Sequence, residues 1–248
     1  MQGPKLRLIF QTALMISLGL SISVQAVAEE GEWKRDVSLG YNQSNGNTEK
    51  AQLNASGSVQ KAFDHSEFLS KLNIYYGETD SQMDTQKWDA KARYAYDFGE
   101  EYDWFNSYQV VVDHDRFADI DYRILPSVGI GYWLHRTDDF TWSIEGSLAY
   151  EITEYRTPGL DSDSEPAFVA RTFLKKSIFK NAYITEDLSI IPSLDGGGNR
   201  IKSETEFVNP RADNLDLNVK YIVDHDSEPA AGKKKTDTQF ITGIKYSF

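Results

Sequence analysis

Hydrophobic and polar residues alternate with period two along almost the whole chain from Trp33 onward, so side chains fall on two opposite faces of successive strands. The last stretch, TDTQFITGIKYSF, puts Phe240, Thr242, Ile244, Tyr246 and Phe248 on one face, with Gln239, Ile241, Gly243, Lys245 and Ser247 on the other. Strand one, near Trp33–Tyr41, turns Val37, Leu39 and Tyr41 one way and Lys34, Asp36 and Ser38 the other. Asn45-Gly46 then signals a turn. In strand two Leu53, Ala55, Gly57, Val59 and Phe63 oppose a polar row, Gln52, Asn54, Ser56, Ser58 and Gln60. Strand three sets Phe68, Leu72, Ile74 and Tyr76 against Lys71 and Asn73. Strand four sets Trp88, Ala90, Ala92, Tyr94, Tyr96 and Phe98 against Lys87, Asp89, Lys91, Arg93 and Asp97.

Strand five carries Trp104, Tyr108, Val110 and Val112, and strand six carries Tyr122, Ile124, Val128, Ile130, Tyr132 and Leu134, with Gly129 and Gly131 opposite. Such small residues relieve crowding or allow a bend. Strand seven opposes Trp142, Ile144, Leu148, Tyr150 and Ile152 to Ser143, Glu145, Ser147 and Glu151. Strands eight to ten, near Pro166–Lys175, Ile184–Leu194 and Arg200–Val208, are too irregular for a register. Strand eleven turns Leu215, Leu217, Val219, Tyr221 and Val223 away from Asp216, Asn218 and Lys220. Connections alternate: FDHS, FGEEYD, HRTDDF, IFKN and NPRADN are compact, whereas TPGLDSDSEP, DGGGN and SEPAAGKKKTD are long.

About twelve strands, an even number, with short turns at one end and long loops at the other, predict an all-β fold: a transmembrane antiparallel up-and-down barrel. On the strands with a readable register the apolar face carries almost no charge, and its exceptions, Arg35 and Lys61, lie at strand ends. A Lys or Arg at the bilayer midplane costs about 2–4 kcal/mol and far less at the interface. Aromatics also gather at the ends. Trp33, Phe63, Phe68, Phe98, Trp104, Phe140, Trp142 and Phe248 form one expected girdle, and Tyr41, Tyr76, Trp88, Tyr122 and Phe240 the other. A soluble sandwich or lipocalin-like barrel shares the alternation but gives no reason for aromatics at strand ends.

Composition narrows the reading. The 248 residues contain no cysteine, which excludes disulfides, thiolate metal ligands, thiol nucleophiles and lipoprotein acylation. Aromatics make up 13%, yet the mean hydropathy is -0.51, and past residue 28 nothing approaches the ~18 apolar residues of a membrane helix. The net charge of -12 argues against nucleic acid as a partner. At the N-terminus Lys5 and Arg7 precede an apolar core, Leu8–Val24, and Ala26-Val27-Ala28 forms a small-residue cleavage site. Residues 1–28 therefore read as a signal peptide and 29–248 as the barrel, with cleavage taking the net charge to -14. The expected location is the bacterial outer membrane.

The stretches GYNQSNGNTEKAQLNASG, DHDRFADIDYRILPSVGIGYWL and PAAGKKKTDTQFITGIKYSF resemble the uncharacterised family labelled salt-induced outer membrane protein, whose members are exported barrels of similar length. The resemblance implies fold, location and expression under osmotic stress. It implies no reaction, ligand or cofactor.

Chemistry, if any, belongs to the inward row. Lys34, Asp36, Lys71, Lys87, Asp89, Lys91, Arg93, Asp97, Glu145, Glu151, Asp216, Lys220 and Lys245 all fall on it, with both signs interleaved. Two functions are compatible: a narrow channel linked to osmotic or salt stress, or a structural or surface-interaction barrel with a closed lumen. Barrel size favours a filled or narrowly hydrated interior. Asp113-His114-Asp115 and Asp224-His225-Asp226 recur at the predicted outer rim. Alternation sends each histidine away from its neighbouring aspartates, so no metal site is expected and an acidic rim is. No cofactor is expected. A lipid hydrolase is a remote alternative, since no G-x-S-x-G elbow exists and adjacent strand residues face opposite ways. His65 and His135 fall in predicted turns. The expected partners are outer-membrane lipid, lipopolysaccharide (by way of Lys233-Lys234-Lys235) and the barrel assembly machinery. The last would read Phe240, Ile244, Tyr246 and Phe248 as an assembly signal.

Overall fold

The computed structural model describes residues 31–44, 49–179 and 181–248. The signal-peptide reading of residues 1–28 and the tip of the first outer loop lie outside them. The described chain forms twelve strands: β1 Lys34–Ser44, β2 Lys50–Ala62, β3 Ser66–Thr79, β4 Gln82–Phe98, β5 Trp104–Asp115, β6 Ile120–Arg136, β7 Phe140–Tyr155, β8 Asp163–Phe179, β9 Ala182–Pro192, β10 Asn199–Ala212, β11 Leu215–Asp226 and β12 Thr236–Ser247. Each pairs antiparallel with its sequence neighbour, and β1 pairs with β12, so the sheet closes into a barrel. Val37 faces Tyr246 and Leu39 faces Ile244 across the closing seam.

The barrel is inside out relative to a soluble one. Leu148, Leu39 and Val128 are 63%, 55% and 51% exposed on the outer wall, whereas Arg93, Lys220 and Arg200 are 8%, 7% and 7% exposed within. Such an exterior suits lipid and such an interior does not. Aromatic rings cluster at the end holding the short turns. Trp33 meets Phe68 edge-on at 6.2 Å, Trp104 meets Tyr132 at 5.0 Å, and Tyr246 stacks on Phe248 at 6.0 Å. Lys61, one of the two charged exceptions, lays its ammonium 5.4 Å from the Trp33 ring and 5.0 Å from Phe63. A cation there is held by ring faces rather than left in hydrocarbon.

Several boundaries differ from the sequence reading. The β3–β4 connection is two residues, Asp80 and Ser81, both at positive φ (49° and 61°), as a type I′ hairpin turn requires. It belongs to the loop end, so the alternation of short and long connections fails there. Asp80 earns its place by accepting from the Glu49 amide at 2.8 Å. Ile178 and Phe179 extend β8, and Asn209–Ala212 extend β10, so NPRADN shrinks to a two-residue turn. The register of β10 slips between Pro210 and Ala212, where proline has no amide to donate. His135 lies in β6, not in a turn, and its ring sits 5.0 Å from Phe140.

Candidate functional site

The interior is where the sequence concentrates charge, and the ladder geometry brings those charges together in layers. Nearest the turn end, Asp97 accepts from the Trp133 indole at 3.0 Å and from Arg136 at 2.7 Å, and the Arg136 guanidinium lies 4.7 Å above the Trp133 ring. Phe105, fully buried, packs 5.0 Å from Trp133. It fits because β6 offers Gly131 opposite, where a Cβ would lie 2.1 Å from the Phe105 ring.

At mid-height two contacts cross the lumen. Lys71 Nζ on β3 lies 2.6 Å from Glu204 Oε1 on β10, and Lys91 Nζ on β4 lies 3.2 Å from Asp187 on β9. In a twelve-strand ring these partners stand five strands apart one way and seven the other. Side chains from nearly opposite walls therefore touch on the barrel axis. Glu145 joins Arg93 at 2.8 Å and Arg171 at 3.4 Å, and accepts from the hydroxyls of Ser107 and Ser147. Arg171 also grips Asp187 at 2.7 Å, while Lys220 lies 3.7 Å from Glu204 and 3.8 Å from Glu206.

One layer nearer the loop end, Arg123 binds Asp113 through Nε and Nη2 at 3.2 and 2.9 Å. Glu151 bonds Arg200 and lies 3.9 Å from Arg123. Lys202 reaches Asp113 from five strands away, at 3.7 Å. Above this layer the barrel opens into a polar vestibule of about 520 Å³. Eleven carboxylates and seven lysines or arginines line it, so it favours cations. The triplet histidines are engaged separately: His114 stacks on Trp88 at 6.1 Å, and His225 Nδ1 sits 2.8 Å from the Thr236 hydroxyl. Among the described residues no group of three His or carboxylate side chains is arranged to hold a metal.

A family described as "Protein of unknown function, DUF481" matches residues 37–248. The chain belongs to this family. No curated protein matches it. Among solved structures it resembles the NanC porin at 12% identity, covering 86% of this chain and 100% of that one, with a TM-score of 0.51. It also resembles the COG4313 outer membrane channel from Pseudomonas putida F1 at 9% identity, covering 92% and 98%, with a TM-score of 0.53. At these identities the likeness is one of fold.

In this DUF481 chain Lys71, Asp89, Lys91, Arg93, Glu145, Glu151, Lys220 and Lys245 all point into the barrel. Asp89 accepts from Asn73 at 2.7 Å, and Lys245 lies 3.5 Å from Asp36 near the seam. Phe240, Ile244 and Tyr246 line the outer wall of β12, Phe248 follows the strand, and all four are exposed. Half of the ionic network was missed. Arg171, Asp187, Arg200, Lys202, Glu204 and Glu206 sit on β8–β10, the strands left without a register. Asp113 is a correction: it is buried against Arg123 inside the lumen and is not at the rim. Asp115 instead caps the β5–β6 turn, accepting from the amides of Phe117 and Ala118 at 2.9 and 3.0 Å.

Proposed function

We propose that the chain is an outer-membrane barrel whose lumen is closed at rest and whose working surface is its outer mouth. The observation that carries closure is the Lys71–Glu204 contact, made at 2.6 Å between nearly opposite walls. Ion-paired layers lie on both sides of it. A solute crossing the barrel has to displace each layer, and every displaced charge loses its partner in a confined space. The apolar exterior, the aromatic strand ends and the leader-like residues 1–28 support the outer membrane as location. In that placement both barrel termini and the short turns face the periplasm. The porin and channel folds cited above are compatible with this placement, but the cross-lumen pairs favour a closed barrel over a narrow channel.

The vestibule is then a blind cup facing outward, with Lys233-Lys234-Lys235 at its lip available to the phosphates of lipopolysaccharide. We take the barrel to be non-enzymatic, because His114 and His225 are engaged away from any serine nucleophile. Planar-bilayer recording tests closure. The native protein should insert and stay electrically silent. A variant that strips three cross-lumen pairs, Lys71→Ala/Glu204→Ala, Lys91→Ala/Asp187→Ala and Lys202→Ala/Asp113→Ala, should conduct. Steady unitary conductance by the native barrel overturns the proposal. The response to salt implied by the resemblance is tested by quantifying the protein across steps of sodium chloride; a constant level removes it.

A further inference from the structure

The outer wall carries a carboxylate where hydrocarbon is expected. One row of cross-strand partners runs from Trp142 on β7 through Leu174, Glu186, Thr205 and Tyr221 to Phe240 on β12. Strands in a barrel are tilted, so the row climbs from the aromatic girdle at the turn end, where Trp142 sits, to the one at the loop end, where Phe240 sits. Glu186 stands between the two, with Ile184 and Leu188 beside it on the same face of β9. Its carboxylate oxygens accept from the hydroxyls of Ser203, at 2.6 Å, and of Thr205, both on β10. Hydroxyls leave the charge itself uncompensated. A carboxylate at membrane depth is normally turned toward protein or paired with a cation.

A cation stands close by and is unpaired as well. Lys176 on β8 is the cross-strand partner of Ile184, two residues along β9 from Glu186, so it lies on the same wall. Its ammonium sits 5.7 Å from the Phe140 ring, and among the described residues no ion pair joins either Lys176 or Glu186. The side chains around the carboxylate are short: Thr172 on β8 and Ser203 and Thr205 on β10. Short side chains let a facing surface come close, and their hydroxyls serve as polar contacts within a membrane.

We infer that the outer wall of β8–β10 is a self-association face, on which two copies of the chain meet about a two-fold axis along the membrane normal, Glu186 of each against Lys176 of the other. Depth and charge select a second copy as the occupant. The same aromatic girdles hold both copies at one level in the bilayer, so the polar patch of one meets the polar patch of the other. A two-fold contact is reciprocal. One anion and one cation, side by side and unpaired on each copy, therefore make two ion pairs across the contact. The flexible stem of Lys176 lets its ammonium leave the Phe140 ring for the facing carboxylate. The contact needs an outer wall in lipid and does not need a closed lumen.

The chain contains no cysteine, so Asp161→Cys in the exposed β7–β8 loop accepts a single label. Full barrels carrying donor or acceptor dye are mixed in phosphatidylcholine vesicles, and energy transfer is followed as added lipid dilutes them. Native barrels should transfer well above the level of randomly placed neighbours. Lys176→Glu and Glu186→Gln should each weaken association at least tenfold. Glu186→Lys copies should fail to pair with one another yet pair with Lys176→Glu copies, because both contacts between those two are of opposite charge. Flotation with the vesicles shows that each variant has inserted. Inserted native barrels that stay monomeric overturn the contact, and so does association that Glu186→Gln leaves unchanged; the membrane placement survives either result. Should Glu186→Lys fail to insert, cross-linking decides with both charges intact. Leu188→Cys, beside Glu186, should join two copies on oxidation. Leu72→Cys on β3, six strands away in either direction, should not. Equal yields at the two positions overturn the contact.

Discussion

Glu145 holds the mid-lumen network together, and its removal should be among the most destabilising single changes inside the barrel. Its carboxylate is 5% exposed and meets Arg93 at 2.8 Å and Arg171 at 3.4 Å, with Ser107 and Ser147 completing its acceptor capacity. Glu145→Ala leaves Arg171 with Asp187 but strips Arg93 of its only ion pair among the described residues. Breaking one side of a buried pair costs about 3–5 kcal/mol, because the remaining charge stays desolvated. Replacing both partners with apolar groups is often near neutral. Arg93→Ala/Glu145→Ala should therefore recover part of the loss, giving a coupling energy of about 2–3 kcal/mol in a double-mutant cycle with the two single alanine variants. Urea unfolding of the refolded barrel in vesicles, followed by the fluorescence of its five tryptophans, supplies the four stabilities. Additive effects, or a loss below about 1 kcal/mol for Glu145→Ala, as at an exposed pair, would show that water screens this network.

Gly131→Ala should destabilise the barrel by about 1–3 kcal/mol, since the added methyl meets the Phe105 ring at 2.1 Å and the Ile144 carbonyl oxygen at 2.7 Å. Urea unfolding measures it, and Phe105→Leu in the same chain should return part of the loss; no rescue would place the strain in the backbone. Deleting Phe248 removes the hydrogen bond its N–H donates to the Arg35 carbonyl at 2.9 Å and its stacking on Tyr246. The deletion should lower outer-membrane yield more than any single loop substitution does, as quantified on isolated membranes, and equal yields would count against an assembly signal in β12. Lys61→Glu exchanges a cation held between two rings for an anion facing their negative faces. It should destabilise by about 1 kcal/mol or more by the same urea assay, and a neutral outcome would mean the Lys61 headgroup lies in water.

The sequence carries the architecture where alternation is strict. From Trp88 to Phe98 on β4 and from Phe140 to Ile152 on β7 every second residue is apolar or glycine, and the register follows from which face must meet lipid. It loses the register on β8–β10 for a definite reason. β8 sends Val169 and Phe173 inward, and β10 sends Val208 inward, so apolar residues stand on both faces and the period-two signal cancels. β9 adds the opposite fault, a carboxylate on the lipid side. Glu186 points outward and is satisfied there by the hydroxyls of Ser203 and Thr205, both on β10. Asp113 was misplaced because the whole triplet that ends β5 was read as rim, whereas alternation turns Asp113 into the lumen against Arg123 of β6.

Closure itself was not legible in any one strand. An inward lysine reads the same whether it lines a wet pore or pairs across it. What distinguishes the two is the opposite wall, and the residues meeting there are far apart in sequence: Lys71 and Glu204 are separated by 133 positions, Lys91 and Asp187 by 96. Only the ring order of twelve strands sets these walls face to face, and that order needed β9 and β10, the strands without a readable register. The short β1–β12 ladder is hidden in the same way. Tyr41–Ser44 and Thr236–Thr242 each pair fully on one side, with β2 and with β11, and their local pattern is that of ordinary strands. The shortness shows only where the two ends of the chain meet: Asp36–Gly40 pairs with Gly243–Ser247, and beyond it the Asn42 side chain ties β1 to Phe240 and Thr242.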